Sequence, residues 1–372
     1  MPGISYLYLT LFTKNGAVCG SGGRPYPFGG GCAVHAKIGV SVKKDIFNRV
    51  GILLVPAHTR LKQEDIKRLI RHRVDLAEVE FGNEPDGGGE TAADSENQLI
   101  EDATAQVKEL FDRIRFGHYI PIRQISSTLL PVIRQAADSP NLFRLLNGLR
   151  SKDNYTYKHN IGVGVLSTLI GKWMNMDEEE LTLLAMAATL HDVGKMKVPI
   201  EIINKPEKLT EAEYRLMRRH TIHGYELLKS TAGAPHRIAL VALQHHERED
   251  GSGYPFGLKG DRLDPFTKIV SIADVFHAMT SKRSYHDASS FFTVMNEMNT
   301  DVFGKLNSNI FLLFMKKMME SMVGSYALLT DGRTGKIVLA NPFEPISPLI
   351  QIDSLFLDLS KDRTVRLQEI VG

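Results

Sequence analysis

Cysteine is almost absent from this chain of 372 residues. There are two, Cys19 and Cys32, too few for a disulfide-built secreted scaffold. Long apolar runs are absent too: no uninterrupted stretch reaches the ~18 residues that a membrane span requires, so none is expected. Neither sign of charge is in excess. Lys and Arg number 45 against 43 Asp and Glu, a net charge of +2, which excludes a broad cationic surface for bulk nucleic-acid binding. A secretory leader is not indicated, because no basic residue precedes the apolar Ile4 to Phe12 and no clean small-residue cleavage pattern follows. These absences predict a cytoplasmic protein. Hydrophobic residues at 43% and charged residues at 24% are ordinary for a globular chain, long enough to bury a core without disulfides or metals.

Glycines cluster at Gly20, Gly22, Gly23, Gly29, Gly30 and Gly31, so residues 1–36 read as a poorly ordered extension. Cys19, Cys32 and His35 lack the paired close spacing of a metal site. Residues 37–82 read as a small α+β domain. A turn at Asn48-Arg49-Val50-Gly51 precedes the apolar run Ile52 to Val55, and Leu61, Ile66, Leu69 and Ile70 fall at helical spacing. A returning strand is expected in Val74 to Phe81. Between Glu78 and Asp112 there are eleven acidic residues against one basic residue, Lys108, and residues 83–94 with Pro85 and three glycines read as an acidic linker. Ser95 and Gln98 predict a capping box opening a helix towards Phe116, and Pro121 suits the first turn of another. Residues 95–322 are expected to be predominantly helical. Thr210 with Glu213 predicts a second capping box, opening a helix that carries His220. From Val323 onward, short β-prone runs broken by Asp331-Gly332 and prolines predict a small β appendage over residues 323–372. The fold class expected is mainly α.

The chemistry-bearing residues lie in the helical region. His191-Asp192 ends an apolar helix (Leu183 to Leu190) that can only be buried. A carboxylate at a buried helix end is costly unless it is neutralised, and a divalent cation does so. Imidazole with carboxylate suits iron, manganese or zinc. His245-His246 ends another short apolar helix and opens into Glu247-Arg248-Glu249-Asp250-Gly251-Ser252-Gly253-Tyr254-Pro255, a loop with glycines for close backbone approach and an aromatic pocket wall. Lys195 and Arg283 add positive charge suited to phosphate oxygens. Together these residues point to metal-assisted phosphoester hydrolysis. His35, His58, His72, His118 and His236 read as ordinary surface or core histidines.

His191-Asp192-Val193-Gly194-Lys195 resembles the signature of the HD phosphohydrolase superfamily. His245-His246-Glu247-Arg248, Asp250-Gly251 and Gly253-Tyr254-Pro255 resemble the extended signature of its HD-GYP branch. The resemblance runs through Lys205-Pro206, Lys208-Leu209-Thr210, His220, Gly224 and Ile272-Ala273-Asp274-Val275-Phe276, from Tyr155 to Tyr285. It implies an all-helical core and a bacterial phosphodiesterase that hydrolyses cyclic di-GMP to linear pGpG, and onward to GMP as a further step. Residues 37–81 also resemble, less specifically, a small domain that often precedes such cores.

Carried over by position, the resemblance implies metal ligation by His159, His191, Asp192, His220, His245, His246 and Asp274, with Asp192 bridging two ions. Lys195 would face the phosphate or protonate the leaving oxygen. Tyr254 would shape the substrate loop, and Arg283 would hold a phosphate or guanine edge. The implied mechanism is in-line attack by a metal-bridging hydroxide, with iron or manganese as the metal. Some family members hold a third ion through a glutamate one turn before the first histidine. Tyr155 stands there, so two ions are expected. Lys282, Ser284 and His286 depart from the family, where an acidic residue, a proline and a basic residue are commoner. Two other readings stay open: hydrolysis of a different nucleotide, or a metal-bound, catalytically silent sensor. A homodimer is compatible with the sequence, and no protein partner is indicated by it.

Overall fold

The computed structural model describes residues 40–47, 53–56, 59–62, 65–66, 68–69, 72, 74, 79–82, 92–117, 119–139, 155–281, 291–301 and 304–371. They fall into two compact units, one running to Asn83 without Val50–Leu53, the other made of Val50–Leu53 and the residues from Glu84 onward. Between residues 40 and 82, β1 (Ser41–Val42) pairs antiparallel with β4 (Phe81–Gly82), and β2 (Ile46–Phe47) pairs with β3 (Leu53–Val55). Val42, Leu54, Val55, Leu61, Ile66 and Leu69 are buried there. The expected hairpin is seen in its two strands. Its turn, the Gly-rich residues 1–36 with Cys19, Cys32 and His35, and the acidic stretch 83–91 lie outside the described residues.

The larger unit begins with α1 (Ala92–Arg115), which starts three residues before the expected cap at Ser95. Ala92 and Ala93 are the strongest of helix formers and extend the helix, while the Gln98 side chain donates to Asp102 one turn on. After Pro121 a helical segment (Ile122–Gln124) widens into a π turn (Ile125–Leu129) and continues as α2 (Leu130–Ala136). Next come α3 (Tyr155–Trp173) and α4 (Glu178–Thr189). Asp177 caps α4 by accepting the Glu180 N–H at 2.8 Å, and three glutamates in its first turn complement the helix dipole. Both helices are apolar nearly all round, the mark of interior helices.

A 3-10 turn (Val193–Lys197) and the short α5 (Ile200–Ile203) lead to α6 (Glu211–Arg218), which opens with the capping box expected at Thr210 and Glu213. The helix with His220 is a separate one. The chain breaks at Arg219 and restarts as α7 (His220–Lys229), followed by α8 (His236–Gln244) and α9 (Pro265–Thr280). α3 lies against α4 and α9, and α7 lies against α8 and the 3-10 turn. α10 (Phe291–Asp301) and α11 (Ser308–Glu320) close the bundle with Phe292, Met295, Met298, Phe314 and Met318, all fully buried.

The C-terminal part is a five-stranded antiparallel sheet in the order β8-β7-β6-β5-β9, built from β5 (Tyr326–Leu329), β6 (Thr334–Leu339), β7 (Leu349–Ile352), β8 (Leu355–Asp358) and β9 (Leu367–Ile370). Its alternation puts Ala327, Leu329, Ile337 and Ile350 on the inner face, where they join the hydrophobic core of the helices. Sheet and helices therefore share one interior. Among the described residues, no helix is long and apolar enough to cross a membrane.

Candidate metal centre

Three histidines stand at helix ends and are oriented the same way. His191 Nδ1 is 2.7 Å from the Ala188 carbonyl, His220 Nδ1 2.7 Å from that of Met217, and His245 Nδ1 3.0 Å from that of Ala242. A carbonyl can only accept, so each Nδ1 carries the proton and each Nε2 keeps its lone pair. Carbonyls near helix ends have acceptor capacity to spare, and the imidazoles use it. The break at Arg219 has this same basis, since it seats the His220 ring beneath the last turn of α6.

The three Nε2 atoms converge on Asp192. Its Oδ1 lies 3.3 Å from His220 Nε2 and 3.7 Å from His245 Nε2. Its Oδ2 lies 3.5 Å from His191 Nε2 and 3.8 Å from His159 Nε2. His159, from the start of α3, also places Nε2 3.1 Å from Asp274 Oδ1 of α9, and His246 Nδ1 lies 3.9 Å from Asp274 Oδ2. Two overlapping groups result, His159-His191-Asp192 and Asp192-His220-His245-His246, each with its ligating atoms within 4.8 Å of one another. Asp192 belongs to both.

Protonation favours ligation. Burial holds His159 below its ordinary value, takes His220 down to about 4, and pushes His245 and His246 well down. Burial raises Asp192, but Lys195, His191, His220 and His245 together outweigh it and hold the carboxyl well below the usual range. For Asp274 burial is likewise outweighed, chiefly by His159, whose Nε2 faces its Oδ1. Burial thus favours the neutral form of His159, His220, His245 and His246 beside ionised carboxylates, an oxygen and nitrogen donor set for divalent ions. Two buried atoms within it, His191 Nε2 and Asp192 Oδ1, have no partner with hydrogen-bond geometry. Polar atoms so placed are costly unless something else satisfies them, and a cation between them would. The donor set fits a divalent metal.

Two glycines allow the elements to meet. A Cβ on Gly194 would lie 1.9 Å from the His220 carbonyl oxygen and 2.4 Å from Gly224 N, so only hydrogen permits the 3-10 turn to touch the start of α7. Gly194→Ala is expected to destabilise the protein by about 3 kcal/mol, because backbone atoms must move apart. Urea unfolding checks this, and a loss below about 1 kcal/mol would show that the turn yields easily. A Cβ on Gly253 would lie 2.4 Å from Glu247 Cα. There the loop folds back over Glu247, whose buried carboxylate accepts the N–H groups of Phe256 at 2.8 Å and Leu258 at 2.9 Å.

The loop lays Tyr254 on His246, with ring centroids 4.6 Å apart, and the Arg218 guanidinium covers the tyrosine at 4.5 Å. Burial first, then the charges of Tyr214, Asp192 and Asp274, push the Tyr254 phenol up, so it stays neutral. The Lys195 ammonium contacts Asp192 Oδ2. Arg283 lies outside the described residues, as do Lys282, Ser284 and His286. His72 and His236 are exposed, and neither belongs to a ligand group. Three contributors were not singled out by sequence reasoning: the Arg218 guanidinium, the pinning role of Glu247, and His277. For His277 a signal existed, since it follows Asp274 by three positions on one helix and so shares its face.

A helical bundle that gathers neutral imidazoles around buried carboxylates at its helix ends defines a divalent-metal protein of the histidine–aspartate type. Residues 143–305 match the HD domain family, and this segment carries the signature of its HD-GYP branch. It is 31% identical over 257 residues to a cyclic di-GMP phosphodiesterase of Pseudomonas aeruginosa, an alignment covering 68% of this chain and 61% of that protein. It is 41% identical over 148 residues to the cyclic di-GMP phosphodiesterase response regulator RpfG of Xanthomonas campestris, covering 40% of this chain and 39% of that one. It is 37% identical over 168 residues to 3'3'-cGAMP-specific phosphodiesterase 1 of Vibrio cholerae, covering 45% and 39%. The chain thus spans between about two fifths and three fifths of the length of these relatives.

Proposed function

We propose that this protein is a cytoplasmic phosphodiesterase that hydrolyses cyclic di-GMP to linear pGpG with two divalent ions, iron or manganese. The observation that carries this reading is the pair of overlapping ligand groups that share Asp192. Two dications would outweigh the charge of Asp192 and Asp274, leaving a positive site suited to a phosphodiester anion. The names of the Pseudomonas and Xanthomonas relatives support the substrate.

The bound ions would supply Lewis acidity and a nucleophile generated from water near neutral pH. Asp192 would hold both halves of the centre, Oδ1 with His220 and His245, Oδ2 with His159 and His191. His246 and Asp274 would complete them. Attack forms a new P–O bond and breaks the bond to the 3′ oxygen, which needs a proton. Lys195 is the donor beside Asp192, and its Nζ would supply that proton or hold a phosphate oxygen. Tyr254, neutral and stacked on His246, would wall the pocket against a base. Arg283 would add a guanidinium for the second phosphate or a guanine edge.

The Vibrio relative favours a second substrate, the mixed cyclic dinucleotide 3'3'-cGAMP. Protein loaded anaerobically with manganese or ferrous iron and given each dinucleotide separately tests both. Cyclic di-GMP should be consumed at least tenfold faster, with pGpG as first product and about two metal ions per chain by elemental analysis. Faster loss of 3'3'-cGAMP would transfer the assignment to that substrate, and loss of neither would leave the silent-sensor reading.

A further inference from the structure

Main-chain carbonyls orient His191, His220 and His245, but the group facing Nδ1 of His159 is another imidazole. His277 Nδ1 lies 3.1 Å away, with the two rings edge to face at 5.1 Å between centroids. His277 comes from α9, one turn beyond Asp274, and is buried. Ser281 Oγ lies 3.1 Å from the same Nδ1. Opposite, a Cβ on Gly162 would sit 2.1 Å from the His277 ring, so this glycine of α3 makes room for it.

Two ring nitrogens at that separation share one proton, so one donates and the other accepts. If His277 donates, the His159 proton sits on Nε2 and is given to Asp274 Oδ1, 3.1 Å away. That arrangement ties up a nitrogen and an oxygen that a metal would need. If His159 donates from Nδ1, its Nε2 lone pair faces Asp192 and Asp274. We propose that His277 is a positioning residue for His159: its unprotonated Nδ1 accepts the His159 Nδ1–H and thereby selects the tautomer able to bind metal. The Ser281 hydroxyl, which can donate or accept, steadies the His277 ring in that role. The role parallels that of the Ala188, Met217 and Ala242 carbonyls, and it concerns only the half of the centre that His159 serves. The inference rests on the reading of His159 as a metal ligand.

Manganese titration of the full chain, by calorimetry and electron paramagnetic resonance, tests it. His277→Phe keeps a ring but removes the acceptor. It should bind one ion with wild-type affinity and the second 10–100-fold more weakly, the usual scale for loss of a partner behind a metal-binding histidine. His277→Asp restores an acceptor and should recover most of that loss. Gly162→Ala, which displaces the ring and changes no polar group, should reproduce the selective weakening. Wild-type affinity at both sites in folded His277→Phe protein would overturn the proposal, as would equal weakening in His277→Asp. A readout that needs no variant is nitrogen NMR of the wild-type protein loaded with zinc. It should show His159 protonated at Nδ1 and His277 bare at Nδ1, and the reverse assignment would also overturn the proposal. If wild-type protein binds no metal, the ligand reading itself fails. If it binds two ions and His277→Phe is unchanged, only the positioning role does.

Discussion

Asp192→Ala protein is expected to lose both divalent ions and to cleave cyclic di-GMP at least 10³-fold more slowly than wild type, on the scale of losing a buried electrostatic stabiliser. The two oxygens of this side chain face different histidines, Oδ1 towards His220 and His245, Oδ2 towards His191 and His159. No other carboxylate among the described residues belongs to both ligand groups. Alanine therefore removes a donor from each half at once, together with the carboxylate that the Lys195 ammonium contacts. Metal content by elemental analysis and product release by chromatography measure the two effects, with circular dichroism to establish that the bundle still folds. Two ions retained, or a rate within tenfold of wild type, would remove Asp192 from its assigned role.

Metal-free protein should be acid-labile in a window set by its buried histidines. Burial takes His220 down to about 4, against an ordinary value of 6.5. Between those values the unfolded chain carries a proton at this position and the folded chain does not. Stability must then fall as pH drops through the interval, and it is fully present above 6.5. At about 1.4 kcal/mol per pH unit, His220 alone accounts for about 3 kcal/mol. Burial shifts His159, His245 and His246 in the same direction. Asp192 and Asp274, held below the ordinary carboxylate range, lose their contribution only at still lower pH. Urea midpoints of chelator-treated protein at pH 7.5, 6 and 5 should fall in that order. Divalent ions, which need the neutral imidazole, should raise each of them. A midpoint that stays level or rises on acidification would contradict the burial of these groups.

Much of the centre was legible in the chain because its chemistry is local. An apolar helix that ends in His191-Asp192 announces a buried carboxylate in need of a counter-charge, and His245-His246 repeats the device before a glycine-containing loop. The capping box at Thr210 and Glu213 was likewise readable, since both partners lie within one turn. The extent of the helix it opens was not. Continuous helical sequence runs from Glu211 through His220, but the chain breaks at Arg219, where the His220 ring finds the Met217 carbonyl and Gly194 packs against the His220 backbone. That contact joins residues far apart in sequence.

The sequence by itself determined that the bundle is helical, that His191 and His245 follow apolar helices, and that the last segment forms strands, because propensity, capping and period act over a few residues. Only the tertiary structure decided how Asp192 divides its two oxygens between His220 with His245 and His191 with His159. The same holds for the sharing of one core by the sheet's inner face and the helices. His277 is the clearest case. On α9 alone it is one more buried histidine, and it becomes the partner of His159 because α3 packs against α9 at Gly162. Hydrogen bonds between side chains 118 positions apart have no signature in local sequence, since packing brings their helices together and only then fixes which nitrogen carries the proton.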